Sequence, residues 1–103
     1  MGKLLKIADM PTPRESFGAC VARHFIVTAG GLLTGQKVSN VVEWYHTSEN
    51  RWASLPPLPV ACHGVSIQVY NENCLIAVGG QDEKGNRMNQ ILRYNMKPQA
   101  KTW

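Results

Sequence analysis

The sequence predicts an all-β fold: two four-stranded antiparallel units set side by side as blades of a β-propeller. Three observations carry this expectation. One ordered pattern occurs twice, as Phe25-Ile-Val-Thr-Ala-Gly30-Gly31 followed by Asn40, Glu43, Tyr45, Asn50 and Trp52, and as Cys74-Leu-Ile-Ala-Val-Gly79-Gly80 followed by Asn89, Tyr94 and Trp103. The glycine pairs, asparagines and tyrosines recur at a spacing of 49 residues (79 − 30, 89 − 40 and 94 − 45), and the tryptophans at 51 (103 − 52). A period of about 50 residues marks a propeller array. The opening segment also matches a later one: an offset of 48 sets Leu4 against Trp52, Ile7 against Leu55, Met10 against Leu58 and Pro11 against Pro59. Residues 1–8 therefore read as the last strand of a preceding blade, 9–55 as one repeat, and 56–103 as a second with an incomplete last strand.

The elements follow in order. Pro11-Thr-Pro13-Arg14 is extended, because proline removes donors and restricts the residue before it. Phe17–Ala22 is the inner strand, its small residues suited to the crowded zone near a propeller axis. Arg23-His24 closes a tight hairpin without the Gly or Asn that such turns favour. Phe25–Ala29 is apolar but for Thr28, and reads as a strand buried on both faces. Gly30-Gly31 ends it and lets another backbone approach closely. The competing reading of the glycines, a phosphate cradle, lacks the following helix that would supply amide donors. A polar loop over 32–39, a strand over Val41–Tyr45, a turn at Ser48-Glu49-Asn50 and an outer strand over Arg51–Leu55 complete the unit. The second unit repeats this with strands over Gly64–Tyr70, Cys74–Val78 and Gln90–Tyr94, a longer hairpin at Asn71-Glu72-Asn73, a wider outer turn, and a fourth strand opening at Trp103. The recurring Tyr and Trp rings read as wedge-filling packing whose polar tips still need partners, recurrence in every unit arguing against the alternative of an aromatic ligand cage.

Two blades leave two apolar faces uncovered, whereas complete propellers hold about four to eight. The chain therefore reads as a segment of a longer protein, the expected ring being six-bladed; a protomer that closes a ring with its own copies is the alternative. The formal charge is +4, from 11 basic and 7 acidic residues. The basic positions are scattered, which argues for a solvated surface and against nucleic-acid binding. No apolar stretch reaches membrane-spanning length, and no membrane association is expected. Three cysteines without paired spacing, and no Asn-x-Ser/Thr acceptor, point to a reducing compartment, the cytoplasm or alternatively the nucleus.

The repeat order of strand, double glycine, polar loop, Tyr strand and Trp strand resembles the kelch repeat over nearly the whole chain. The Met/Leu-Pro stretches, Pro13-Arg14 and Asn40-Val-Val-Glu43-Trp-Tyr45 look like animal BTB–kelch proteins. That resemblance implies a non-enzymatic module whose loops bind a protein or peptide, as in substrate adaptors of cullin-based ubiquitin ligases, through a BTB domain that these residues do not include. Actin or cytoskeleton binding is the alternative within the family. A kelch-propeller enzyme of the oxidase or mutarotase type is the alternative outside it, with its active site on other blades. No cofactor, metal or catalytic residue is expected here. Cys62-His63 suggests a thiol or metal site, but neither an oriented base nor a clustered ligand set accompanies it.

In an antiparallel meander the segment entering the first strand and the loop leaving the second share one face of the disc. Residues 9–17, 32–39, 56–63 and 81–88 should form that face, and binding residues favour such loops. The candidate partner contacts are Arg14, Glu15, Ser16 and Phe17, then Leu33 and Gln36, then His63, Gln81 and Asp82. The resemblance implies that Arg14 points into a central ligand pocket, where its planar fork would meet an acidic peptide. The residues alone leave two alternatives: pairing with a neighbouring loop carboxylate, or lying over Phe17. The second repeat has no Arg in Val60-Ala61-Cys62-His63, which weakens a pocket built on paired arginines. Asp82 and Glu83, in a loop with Lys84 and Arg87, read as solvated, with contact to a partner as the alternative.

Overall fold

A computed structural model describes residues 8–71, 73–96 and 101–103. Its strands are β1 (Gly18–Ala22), β2 (Phe25–Ala29), β3 (Val42–His46), β4 (Arg51–Leu55), β5 (Ser66–Tyr70), β6 (Cys74–Val78) and β7 (Ile91–Asn95). They form two antiparallel meanders, ordered β1-β2-β3-β4 and β5-β6-β7. The two like-ordered sheets that the repeat predicts are present. The expected strand before the first blade falls almost entirely on residues 1–7, and the wider outer turn spans 97–100; both lie outside the described residues.

Strand boundaries differ from the expected ones by a residue or two, for local reasons. β1 starts at Gly18 and β5 at Ser66 because Ser16 (φ 54°) and Gly64 (φ 67°) hold a left-handed turn just before each. β3 starts after Val41 because the Ser39 hydroxyl captures the Val41 amide at 3.0 Å. The loop over 32–39 is not wholly irregular, since Thr34–Gln36 forms a single 3-10 turn, with Gly35 at φ 80°. Trp103 opens no strand among the described residues, yet its ring sits 5.3 Å from Tyr94, as that of Trp52 sits 5.4 Å from Tyr45. Their polar tips do find partners: Trp52 Nε1 donates to Ala8 O at 2.9 Å and Trp103 Nε1 to Pro56 O at 2.8 Å. Each indole thus ties the outer edge of its blade to the segment entering it.

The core is the seam between the blades. Directly paired residues share a face of the sheet, so Val27 and Ala29 of β2 and Val42 of β3 face one way with Gly18, Cys20 and Ala22. Against them pack Ile67, Leu75, Ala77 and Tyr94 of the second blade, with Leu58, Cys62 and Val65 from the connection. Burying each large aliphatic side chain there contributes about 1.5–3 kcal/mol. The inner strands approach closely because β1 is narrow at this point: a Cβ on Gly18 would lie 2.5 Å from the Val65 carbonyl oxygen. Backbone hydrogen bonds close the seam, from Gly64 N to Ser16 O (2.8 Å), Gly31 N to Cys62 O (2.8 Å), Cys62 N to Ser39 O (3.2 Å) and Leu58 N to Asn40 O (2.8 Å).

Among the described residues, the opposite face is open on the second blade and only partly so on the first, where Thr28, Glu43 and Tyr45 are buried. Val21 on the first blade is 70% exposed, and Ile91 and Tyr70 on the second are 69% and 62% exposed. Of the two apolar faces expected of an isolated blade pair, the second blade's is an exposed surface of this segment, whereas the first blade's is occupied at its centre by the buried polar residues Thr28 and Glu43.

Candidate functional site

The register of the two blades fixes which residues are equivalent. Gly18 pairs with Ala29 and Ser66 with Val78, so the entering segments match at an offset of 48 and the later strands at 49. The extra residue is taken up in the second hairpin, where 71–73 replaces 23–24. Arg14, Glu15 and Ser16 thereby correspond to Cys62, His63 and Gly64, and the shared left-handed φ of Ser16 and Gly64 agrees with that match.

On the expected loop face, backbone bridges hold each entering segment against the loop after the double glycine. Glu15 pairs with Leu32 and Leu32 with Val38; His63 pairs with Gln81 and Gln81 with Arg87. Two equivalent clefts result. Glu15, Leu33 and Gln36 line one of about 320 Å³, together with Pro13, Arg14, Leu32 and Thr34. His63 and Gln81 line the other, of about 360 Å³, with Gly64, Gly80, Arg87 and Met88. Asp82 lies in neither; with Val60, Ala61, Glu83, Lys84 and Asn86 it borders a third, of about 300 Å³. Its Oδ1 accepts from the amides of Lys84 and Asn86, both at 2.9 Å, so the carboxylate shapes its own loop.

Arg14 departs from the orientation that the resemblance implies. Its side chain is 0% exposed, and all three guanidinium nitrogens are engaged inward. Nη1 donates to Gly30 O (2.6 Å) and Val41 O (2.9 Å), Nη2 to Thr28 Oγ1 (2.7 Å) and Glu43 Oε1 (3.1 Å), and Nε to Thr12 O (3.3 Å). Glu43 Oε2 accepts a further bond from the Thr12 hydroxyl at 2.9 Å. The carbonyls of Gly30 and Val41 lie just past the ends of the β2–β3 ladder, where the double glycine breaks it. Burial lowers the Arg14 pKa, against the charge and hydrogen bond of Glu43, but an arginine stays protonated throughout the physiological range. The guanidinium lies 5.5 Å from the centre of the Phe17 ring, as one alternative had it, and it does pair with a carboxylate, but that of Glu43 in β3 rather than one in a neighbouring loop. Phe17 and Arg14 are thus packing and anchoring residues, and the Ser16 carbonyl is used in the seam.

The second blade solves the same position without charge. Cys62, Ala77 and Leu92 stand where Arg14, Thr28 and Glu43 stand in the first, and Cys62 and Ala77 are both 2% exposed. Burial raises the Cys62 thiol pKa, which opposes formation of the thiolate a nucleophile needs. Sequence reasoning passed over Arg87, which joins the cleft through its bridge to Gln81. Only strand register reveals that pairing.

Residues 13–59 match the family described as Kelch motif. The chain is 33% identical over 78 residues to Kelch-like protein 25 of Xenopus tropicalis, covering 76% of this chain and 13% of that protein. It is 32% identical over a 109-residue alignment to Kelch-like protein 25 of Homo sapiens, covering 98% of this chain and 18% of the relative. With Kelch-like protein 40 of Homo sapiens it shares 31% identity over 106 residues, 95% of this chain and 16% of the relative. The chain thus spans less than a fifth of the length of these relatives. No helix among the described residues is long and apolar enough to cross a membrane.

Proposed function

We propose that this kelch-repeat segment, which resembles the Kelch-like proteins over most of its length, is part of a non-enzymatic module that binds a protein or peptide through its loop face. One observation carries the reading. Both blades present an equivalent cleft on the same face, each braced by backbone bridges, with Glu15, Leu33, Gln36, His63 and Gln81 at their walls. Rigidly held loops with uncommitted polar side chains suit recognition of an extended segment, because little order is lost on binding. Arg14 contributes by fixing the entering segment and the ends of β2 and β3, and needs no ligand contact to do so.

In the full-length protein, the same face is read as the substrate-recognition surface of a cullin-based ubiquitin ligase adaptor acting in the cytoplasm. Affinity capture with full-length protein should recover a cullin scaffold together with a partner protein. The pair Leu33→Asp and Gln36→Ala should lose the partner at least about tenfold while retaining the cullin, since roughly 1.4 kcal/mol of lost contact is already tenfold. Capture of the partner at the parent level by that variant would refute the loop-face reading. Failure to recover any cullin from full-length protein would refute the adaptor role alone.

A further inference from the structure

The two clefts are equivalent in backbone and opposite in charge. Directly opposed residues of an antiparallel bridge project their side chains to the same side, with Cβ atoms about 4.5–5.5 Å apart. The first blade therefore presents the row Glu15, Leu32, Val38, and the second presents His63, Gln81, Arg87. Each row carries side chains from three separately held pieces of backbone. At equivalent positions a carboxylate in one blade is replaced by an imidazole in the other, and Val38 gives way to a guanidinium.

Arg87 is exposed, and among the described residues no carboxylate pairs with it. Of the two acids nearest in sequence, Glu83 makes no ion pair with it among the described residues, and Asp82 has Oδ1 turned into its own loop by two backbone amides. The contrast with Arg14 decides between the chain's two candidate anion-binding arginines. The Arg14 fork is fully buried and its donors are used, whereas the Arg87 fork stands at a cleft beside a histidine and an amide that can both donate.

We propose that His63, Gln81 and Arg87 form a subsite for an anionic oxygen group, a carboxylate or a phosphate, on an extended peptide, and that Glu15 excludes such a group from the equivalent cleft of the first blade. The subsite rests on the loop face being the binding face. It makes the face polar along the ring direction, so a ligand crossing the seam has one permitted charge register.

The test is a positional-scanning library of immobilised nonapeptides probed with the 103-residue chain, carrying Glu, phosphoserine, Gln or Lys at each position in turn. At one position Glu or phosphoserine should be favoured over Gln by roughly five- to tenfold, the range of a charge-assisted bidentate contact at a surface. The favoured residue identifies the source of the anion. Arg87→Gln should reduce the preference below about twofold, and Arg87→Lys should retain part of it, because an ammonium keeps the charge but loses the fork. The preference should also shrink as salt is raised from about 0.05 to 0.5 M. The Arg87→Gln chain should melt with the parent, and a lowered midpoint would mark Arg87 as structural and overturn the assignment. Library binding that keeps its acid preference in Arg87→Gln overturns the subsite and leaves the loop face standing. No binding above background by the parent chain overturns both.

Discussion

Replacing Arg14 by Ala should destabilise the chain by about 3–5 kcal/mol, because it leaves the Glu43 carboxylate buried and without its countercharge. Glu43 is 3% exposed and, among the described residues, would retain only the Thr12 hydroxyl as a side-chain donor. The carbonyls of Gly30 and Val41 and the Thr28 hydroxyl would lose their guanidinium donor at the same time. Urea unfolding followed by tryptophan fluorescence reads the effect as a large fall in midpoint or as loss of the cooperative transition. The chain itself supplies the rescue, since its second blade fills the equivalent positions with Cys62, Ala77 and Leu92. Installing that set in the first blade, as Arg14→Cys, Thr28→Ala and Glu43→Leu together, should recover most of the loss. Replacing a buried ion pair by apolar groups is often neutral or better, whereas removing one partner is not. An Arg14→Ala chain within about 1 kcal/mol of the parent would mean that solvent reaches the cluster and that the buried network is not formed.

Gly30→Ala should be more damaging than Gly79→Ala, although the two glycines are repeat equivalents with nearly the same backbone, φ 69° and 73°. Both substitutions force a side chain into the left-handed region, at about 1–2 kcal/mol. They differ in what the new methyl meets. At Gly30 it would run into the Cys62 carbonyl and press on Val65 across the seam, while at Gly79 its nearest neighbour is the Met88 carbonyl at 3.9 Å. Overpacking of that kind adds about 1–3 kcal/mol, so Gly30→Ala should total about 2–5 kcal/mol and Gly79→Ala about 1–2 kcal/mol. The difference in unfolding midpoint isolates the contribution of the blade–blade contact from that of local strain. Equal losses at the two sites would show that the connection over 56–63 does not press on the first blade.

The strands were legible because their signal is local and repeated. Runs such as Phe25–Ala29 and Cys74–Val78 end on glycine pairs in both copies, the Tyr marks the third strand in both, and the Trp marks a fourth strand in the first copy alone among the described residues. The loop face was equally legible, since it follows from meander topology alone. The orientation of Arg14 was not. Pro13-Arg14 reads the same whether the fork turns out or in, and the groups that hold it inward, at 28, 30, 41 and 43, come together only once β2 and β3 are paired. Arg87 was hidden for the same reason: in sequence it is one more charge in a polar loop, and only the bridge to Gln81 sets it beside His63. The strand ends at 17, 41 and 64 shifted because a left-handed Ser16, a side-chain cap from Ser39 and a left-handed Gly64 each intercept the ladder. Of these, only the glycine carries a sequence signal.

Amide hydrogen exchange at Gly31, Cys62 and Gly64 probes the packing of one blade on the other at its backbone. These three amides donate to Cys62, Ser39 and Ser16 across the seam and to no strand of their own sheet. Two blades stacked head to tail predict protection at all three that approaches that of Val27 in the middle of β2, lost together in Gly30→Ala. Exchange at the rate of an unfolded chain at these three positions, with Val27 still protected, would mean that the sheets form separately and do not share a core.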